Sequence, residues 1–185
     1  MDAKPIIKRL VLPDLRLIGE IDRSEHMDVE YRVVAGELVA LQADLEVPSW
    51  RSEGTGEHSV AGVIEFWTPV VAGGAVLLGA FERDQVLGLV IVDLALGPGL
   101  AWLAFLYVSR SHRRRGLAGA LWGAAERIAL DAGAHSLYVS AVPSGSAVGF
   151  YLSRGCELAE SPHPGLFAKE PDDIHLVCRL DREPM

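Results

Sequence analysis

The chain has 185 residues and a formal net charge of −8 at pH 7; 50% of its residues are hydrophobic and 23% are charged. This length and composition are typical of one globular domain with a sizeable core, so we expect residues 1–185 to form a single domain. The acidic balance argues against binding to nucleic acid or to an anionic membrane, because both partners require a basic surface. No signal-peptide pattern opens the sequence, and we expect a cytoplasmic protein.

The N-terminal third predicts a strand, a helix and a hairpin. Residues 5–11 form a short apolar run typical of a strand, and residues 13–21 place their apolar side chains on one helical face. The polar residues 22–26 predict a loop. Ala35-Gly36 lies between two apolar runs and predicts a hairpin turn, and the Pro, Ser and Gly content of residues 47–57 predicts a loop.

The middle of the chain predicts a capped helix followed by antiparallel strands. Ser59 is a suitable N-cap ahead of apolar residues at helical spacing, and Gly73-Gly74 ends that pattern. Residues 86–108 are apolar enough to suggest a membrane span, but Asp93 and the turn Gly97-Pro98-Gly99 interrupt them. We therefore predict three strands, at residues 75–82, 86–96 and 100–108.

A strand, a basic turn and a helix follow one another in the next segment. Strand 100–108 leads into Arg113-Arg114-Arg115-Gly116, and apolar residues at three- and four-residue spacing predict a helix over 115–132. The start of a helix presents unpaired N–H groups and the positive end of the helix dipole, and the arginines add charge. On an acidic protein, this local positive patch suits a small polyanion such as a phosphate group better than a duplex.

The C-terminal part predicts a strand, a short helix and two more strands. Strand 136–142 is expected to run parallel to strand 100–108, because a helix crosses between them. Residues 144–154 predict a short helix closed by Gly155. The last strands are predicted at 156–160 and 174–180, with a Pro-containing loop at 161–173.

The cysteines and histidines have no spacing that is typical of metal ligands. Cys156 and Cys178 lie in apolar, strand-like runs, and we expect them to be buried free thiols. No metal site is expected, since His58, His135, His163 and His175 show no spacing typical of metal ligands.

Two segments resemble the signatures of the GNAT superfamily of acetyl-CoA-dependent N-acetyltransferases. Arg113-x-x-Gly116-x-Ala118 resembles the Q/R-x-x-G-x-G/A loop that cradles the pyrophosphate of coenzyme A in that family. The segment from Pro143 through Tyr151 to Gly155 resembles the second signature, in which a strand leads to a short helix that carries a tyrosine. The resemblance extends over residues 75–180. It implies an α/β GNAT fold, a mixed, mostly antiparallel, twisted sheet of about seven strands with helices on both faces.

The resemblance also implies residue roles. Backbone groups near Tyr107 would bind the pantetheine arm of acetyl-CoA, and the turn at Gly116 would hold its pyrophosphate, because a side chain there would block the approach of phosphate. Tyr151 matches the tyrosine that often serves as general acid, although a packing role beside Phe150 is the alternative. Ser144 stands where many members carry asparagine. The implied cofactor contacts are Leu106, Tyr107, Val108, Arg113, Arg114, Arg115, Gly116, Leu117, Ala118, Gly119 and Ser144.

One departure from the family concerns the general base. Strand 101–108 contains no Asp, Glu or His, although several members place the base there. Asp93, Glu65 and Glu30 are candidates elsewhere, and none is assigned. Residues 31–57 are an insertion relative to the minimal family pattern, expected near the acceptor side.

The sequence thus predicts an N-acetyltransferase that moves an acetyl group from acetyl-CoA to a primary amine by direct attack in a ternary complex. The acceptor is left open between a small molecule and a peptide. A homodimer is one assembly that the resemblance implies, because many members of the family pair through their sheets. The alternative is a CoA-binding sensor or interaction module without turnover, which the missing acid on the central strand motivates. Neither hypothesis includes nucleic acid, a membrane or a metal.

Overall fold

The structure is a computed structural model that describes residues 5–180. The predicted domain limits at residues 1 and 185 lie outside the described residues. The strands are β1 (Ile6–Arg9), β2 (Glu25–Val34), β3 (Glu37–Val47), β4 (Val76–Glu82), β5 (Gln85–Gly97), β6 (Leu100–Val108), β7 (Ser136–Ala141), β8 (Glu157–Leu158) and β9 (Ile174–Arg179). The helices are α1 (Val60–Ala72), α2 (Leu117–Asp131), α3 (Gly145–Leu152) and α4 (Pro164–Phe167), with 3₁₀ helices at Leu12–Glu20 and Arg110–His112.

Seven strands form one sheet in the order β1-β4-β5-β6-β7-β9-β8. Every neighbouring pair in this sheet is antiparallel except β6 and β7, which are parallel. The exception has a simple cause, because α2 carries the chain back across the sheet between these two strands. The predicted fold class, a mixed and mostly antiparallel sheet of about seven strands, is confirmed.

Helices cover both faces of this sheet, as predicted. On one face α2 and α3 pack their apolar residues, including Leu121 and Val148, into a single buried cluster. On the other face the N-terminal 3₁₀ helix and α1 bury Ile18 and Trp67 in a second cluster. Because β5 is buried on both faces, its residues alternate between the two clusters, which explains the apolar run that begins at Val86. Among the helices of residues 5–180, none has the length and apolarity that crossing a bilayer requires.

The predicted hairpin is present and is longer than expected. Strands β2 and β3 form a sheet of their own, joined at Ala35 and Gly36, whose φ angles of 52° and 83° are those of a type I′ turn. Strand β2 begins at Glu25, so the loop predicted at 22–26 was partly wrong. The hairpin is anchored to the rest of the protein by the Tyr31 N–H, which donates to the Pro143 carbonyl oxygen at 2.8 Å.

The C-terminal elements differ most from the prediction. Strand β9 lies between β7 and β8, and the short helix α4 lies within the loop predicted at 161–173. Glu157 of β8 pairs with Val177 of β9, and one further step of this antiparallel register brings Cys156 next to Cys178. The two cysteines form a disulfide, so the expectation of free thiols was wrong. The pairing depends on strand order, which the spacing of the cysteines does not reveal.

Candidate functional site

The parallel strands β6 and β7 diverge part of the way along their length. Their pairing runs from Leu100 opposite Ser136 to Leu103 opposite Val139 and then stops, although β6 continues to Val108. On its other side, β6 remains paired with β5 to its end. Within residues 5–180, the second half of β6 therefore has no strand along one edge, and this edge faces an open cleft.

The cleft is a cavity of about 1110 Å³. Its lining includes the second half of β6, the end of β7, the start of α2, one side of α3, the early part of α1 with the loop before it, the start of β2, and the segment 169–173. Of the residues that the sequence singled out, those that line this cavity are Leu106, Tyr107, Val108, Arg113, Arg114, Gly116, Leu117, Ala118, Gly119, Ser144 and Tyr151. Arg115 is exposed and does not line it.

The start of α2 presents unpaired backbone donors to the cleft. Gly116 is the N-cap residue and adopts a left-handed φ of 82°, which glycine tolerates. As a glycine, it has no side chain to cap the helix. The first bond of the helix joins the Ala120 N–H to the Gly116 carbonyl oxygen at 3.0 Å. The three N–H groups before it, from residue 117 to residue 119, have no partner within the helix and lie where the dipole is positive. This arrangement fits a phosphate or pyrophosphate group.

The arginines of the turn have different tasks. Arg113 donates to the carbonyl oxygens of Val108 and Arg23 at 3.0 and 2.8 Å and to the Glu25 carboxylate at 3.2 Å. Its guanidinium therefore ties the end of β6 to the start of β2, and the side chain has few donors left for a ligand. Arg114 is exposed, with a left-handed φ of 63°, and its side chain remains available at the cleft.

A further cation at the start of α2 comes from the turn that follows α3. Arg154 lines the cleft, and a Cβ built on Gly119 would lie 2.6 Å from its guanidinium nitrogen. The guanidinium also lies 5.0 Å from the centre of the Phe150 ring. Sequence reasoning did not select Arg154, although it directly precedes Gly155 in the second signature. Its position at the helix start depends on how α3 packs against α2.

Tyr151 lies at the back of the cleft with its ring in the core. Only 6% of the residue is exposed, and its ring packs against Trp122 and Phe150 at centroid distances of 5.9 and 5.3 Å. Within residues 5–180 its hydroxyl makes no hydrogen bond, yet the residue lines the cavity. Burial raises the pKa of the Tyr151 phenol, and the nearby Tyr107 and Asp173 raise it further. The hydroxyl therefore stays protonated at neutral pH and can donate.

Ser144 caps α3 and belongs to a polar network. Its hydroxyl oxygen accepts from the Ala147 N–H at 3.2 Å and lies 3.1 Å from the Ser146 hydroxyl. Ser146 donates in turn to the Glu25 carboxylate at 2.7 Å, the same carboxylate that Arg113 contacts. The network therefore connects the start of α3 with the hydrogen bonds by which Arg113 links β6 to β2.

Two of the three carboxylates considered as a base lie outside the cleft. Asp93 lines a separate, smaller cavity and accepts the Ala95 N–H at 3.0 Å. Glu30 does not line the cleft and accepts from Arg32 at 2.9 Å. Glu65 does line it, on an exposed position of α1. Trp67 of α1 lines the cleft, whereas Tyr31 of β2 does not.

The structure adds carboxylates that sequence reasoning missed. Glu170, Asp172 and Asp173 precede β9 and all line the cleft. Burial raises the pKa of the Asp173 carboxyl to about 7, and the charges of Glu170 and Asp172 contribute. The only signal in the sequence was an acidic run ahead of the last strand. Nothing in that run indicates that the strand is inserted beside β7 and carries the acids to the cleft.

A chain of hydrogen bonds holds this acidic segment in place. The Tyr138 hydroxyl accepts the His163 N–H at 2.8 Å and lies 2.8 Å from Nδ1 of His175, whose Nε2 lies 3.1 Å from the Glu170 carbonyl oxygen. Since a carbonyl only accepts, Nε2 carries the hydrogen and Nδ1 accepts from Tyr138. Burial lowers the pKa of His175 and so favours this neutral ring. Ser140 completes the anchor by donating to the Glu170 carboxylate at 2.7 Å.

Within residues 5–180, no group of His, Cys, Asp or Glu residues is arranged to bind a metal ion.

Comparison with known proteins identifies a family and a fold. The model of the acetyltransferase (GNAT) family matches residues 42–156, well over half of the chain. No curated protein matches this chain.

Solved structures match the whole fold at low sequence identity. Nourseothricin acetyltransferase is 18% identical with a TM-score of 0.72, and the match covers 97% of this chain and 100% of that one. The ribosomal-protein-S18-alanine N-acetyltransferase from Escherichia coli is 15% identical with a TM-score of 0.61, with 97% and 96% covered. The PaiA N-acetyltransferase from Thermoplasma acidophilum, solved with coenzyme A, is 16% identical with a TM-score of 0.60, with 96% and 99% covered.

Proposed function

Because this chain belongs to the GNAT acetyltransferase family, we propose that it binds acetyl-CoA in the cleft and transfers the acetyl group to a primary amine by direct attack in a ternary complex. The observation that carries the proposal is the divergence of β6 from β7 beside a helix start with free N–H groups. An extended polar chain can bind along the free strand edge, and a pyrophosphate can bind at the helix start.

The residues of the cleft fit the two ends of such a ligand. The N–H groups of residues 117–119, with Arg114 and Arg154, would hold the pyrophosphate. The backbone of Leu106, Tyr107 and Val108 would hold the pantetheine arm. Arg113 would act by fixing the turn. Arg115, which is exposed and does not line the cleft, would contribute long-range charge only.

The bound acetyl thioester would supply an activated acyl carbon, and the chain's residues would manage the protons. Tyr151 is protonated and has no hydrogen-bond partner within residues 5–180, so it is free to donate to the departing sulfur. The cleft would hold the thioester and the amine close together, which makes their reaction effectively unimolecular.

The acceptor side of the cleft combines aromatic and acidic groups. Trp50, Phe66 and Trp67 line it, together with Glu65 on α1 and the acidic segment that precedes β9. Such a wall suits a cationic amine, which gains from carboxylates and from aromatic faces. The named relatives act on a small molecule, nourseothricin, in one case and on a ribosomal protein in another. We therefore keep both a small amine and a peptide as acceptors.

The test of cofactor binding uses two glycines of the same helix. Gly119 faces the cleft, while Gly123 lies one turn later with nothing within 4 Å of an added Cβ. Gly119→Glu places a carboxylate where the phosphates would bind, and we expect it to weaken acetyl-CoA binding by about tenfold to hundredfold in calorimetry. Gly123→Glu adds the same charge away from the cleft and should bind almost as the wild type does. Equal affinities for the three proteins would refute the proposed site.

Turnover is tested by following free thiol with a panel of amines. Binding without thiol release from any amine would favour the sensor over the enzyme. The expected cytoplasmic location and the expected homodimer accompany the proposal as predictions, to be checked by cell fractionation and by sedimentation.

A further inference from the structure

Asp173 occupies an unusual position for a carboxylate. It directly precedes β9, whose first residue Ile174 pairs with Ala141 at the end of β7, so Asp173 lies where β7 has left β6. The residue is half-buried and lines the cleft. Within residues 5–180 its carboxylate forms neither an ion pair nor a hydrogen bond. A partly desolvated carboxylate without a partner is costly for a fold, which points to a role in function.

The groups around Asp173 come from several elements. Tyr107 of β6, Tyr151 of α3 and Asp173 all line the cleft, and the charge of Asp173 contributes to the raised pKa of both phenols. On its own segment, Glu170 and Asp172 repel its charge, and Lys169 also lines the cavity. From other elements, the charged groups that line the cavity are Arg23, Glu25, Glu57, Glu65, Arg113, Arg114 and Arg154, together with His58 and His112.

Other carboxylates of the cleft are less suited to exchange protons with a bound amine. Glu170 is held by Ser140 and by the anchor through His175. Glu25 is bonded to Arg113 and Ser146. Glu65 and Asp172 are exposed to solvent. Asp173 combines a free carboxylate, partial burial and a place in the cleft that Tyr151 also lines.

We propose that Asp173 is the catalytic base of the acetyl transfer proposed above and takes the proton from the ammonium form of the acceptor. The neutral nitrogen then forms the N–C bond to the acyl carbon as the C–S bond breaks. Tyr151 gives its proton to the departing sulfur and recovers one from the nitrogen, which leaves a neutral amide and a free thiol. The proton on Asp173 is released to solvent after each turnover, so one proton leaves per amide formed.

The raised pKa of Asp173 suits a group that removes a proton from the acceptor and later releases it. Burial and the two neighbouring carboxylates hold its pKa at about 7, so the base is largely ionised just above neutral pH and still binds a proton well. A base at Asp173 would also explain why β6 carries no acidic residue, because the segment before β9 would supply the base instead.

The first experiment reads the carboxyl group without any substrate. Carbon-13 NMR of aspartate-labelled protein should show one carboxyl that titrates near neutral pH, and Asp173→Asn should remove that signal. The matched control is Asp172→Asn, which removes a neighbouring charge of the same segment and should lower the titration midpoint of Asp173 without removing the signal. A midpoint in the ordinary range of aspartate would overturn the proposal.

The second experiment separates a base from a structural residue. With 1,4-diaminobutane, which is protonated at neutral pH, Asp173→Asn should lower kcat/KM by about a hundredfold or more. With methoxyamine, which is already neutral, the same variant should lose less than about threefold, since no proton has to be removed. Asp173→Glu should recover part of the activity toward the diamine. Equal losses with both amines would overturn the proposed base.

These experiments distinguish the base from the proposed function. If the wild type binds acetyl-CoA but releases no thiol with any amine, the proposed function fails and the base fails with it. If the wild type turns over and Asp173→Asn keeps its rate and pH profile with the diamine, only the base is refuted.

Discussion

Replacing Gly62 with alanine is the sharpest test of how the wall of the cleft is built. Gly62 lies in the first turn of α1, directly beneath the loop that contains Gly56. A Cβ at Gly62 would lie 2.5 Å from the carbonyl carbon of Gly56 and 3.0 Å from its nitrogen, and it would overlap the carbonyl oxygen. These atoms are backbone, so the loop itself has to move.

The magnitude follows from what that movement disrupts. The Gly56 carbonyl oxygen accepts the Ser59 N–H at 3.0 Å and the Ser59 hydroxyl at 2.8 Å, and these bonds fasten the loop to the start of α1. Weakening two neutral hydrogen bonds costs about 2 kcal/mol. Overpacking adds about 1 kcal/mol or more. A loss of about 3 kcal/mol lowers the Tm of a protein of this size by about 6 to 12 °C.

The assay is thermal unfolding of Gly62→Ala beside Gly123→Ala. Gly123 lies in the middle of α2 with nothing within 4 Å of an added Cβ, so alanine there should stabilise the helix by about 0.5 to 1 kcal/mol. The same substitution in two helices should therefore shift the Tm in opposite directions. A Gly62→Ala protein as stable as the wild type would show that the loop does not pack on α1 as described.

Three further predictions concern stability. Arg113→Ala should lower the Tm by about 6 to 12 °C in the absence of any ligand, because it removes three hydrogen bonds from a charged donor. Arg115→Ala, at an exposed position, should change the Tm little. An unchanged Tm for Arg113→Ala would show that these bonds do not hold β6 to the start of β2. Reduction of the disulfide between Cys156 and Cys178, which are 22 residues apart, should destabilise the fold by about 3 kcal/mol in chemical unfolding, while a protein with both cysteines replaced by serine should not respond to the reductant. Because the pKa of Asp173 is raised in the folded state, the native protein holds this proton more tightly than the unfolded chain, and stability falls as pH rises from about 4 to 7. Discounted for its partial exposure, the ionised carboxylate costs about 2 kcal/mol, so Asp173→Asn should be the more stable protein at about pH 8 and should lose this advantage near pH 4; an advantage that is independent of pH would refute the assignment of the shift.

Local signals in the sequence predicted the elements that lie along the chain. Ser59 was recognised as a cap because its hydroxyl can accept the N–H of Gly62, and the structure has that bond at 3.0 Å. The turn at Ala35-Gly36 was recognised because glycine allows a left-handed conformation. The sequence also predicts the glycine turn before α2, from its position between a strand and a helix and from its motif, and in the structure Gly116 adopts a left-handed φ of 82°. Each of these features depends on residues within a few positions of one another.

What the local pattern could not show is how distant segments meet. The order of β7, β9 and β8 depends on which edges pair, and this order pairs Cys156 with Cys178. The bonds that Arg113 makes could not be predicted for the same reason, since its partner Glu25 is 88 positions away in sequence.

The sequence by itself determined the helices α1, α2 and α3, most of the strands, the turn at the start of α2 and the family of this protein, because these rest on short-range periodicity, glycine conformations and two compact motifs. Only the tertiary structure decided that β6 and β7 diverge into a cleft, that Arg154 joins the start of α2, and that the insertion of β9 carries Asp173 to the cleft that Tyr151 lines. These outcomes depend on strand pairing and helix packing between residues far apart in the chain. The free energy that selects them comes from burial of the whole core rather than from any one segment.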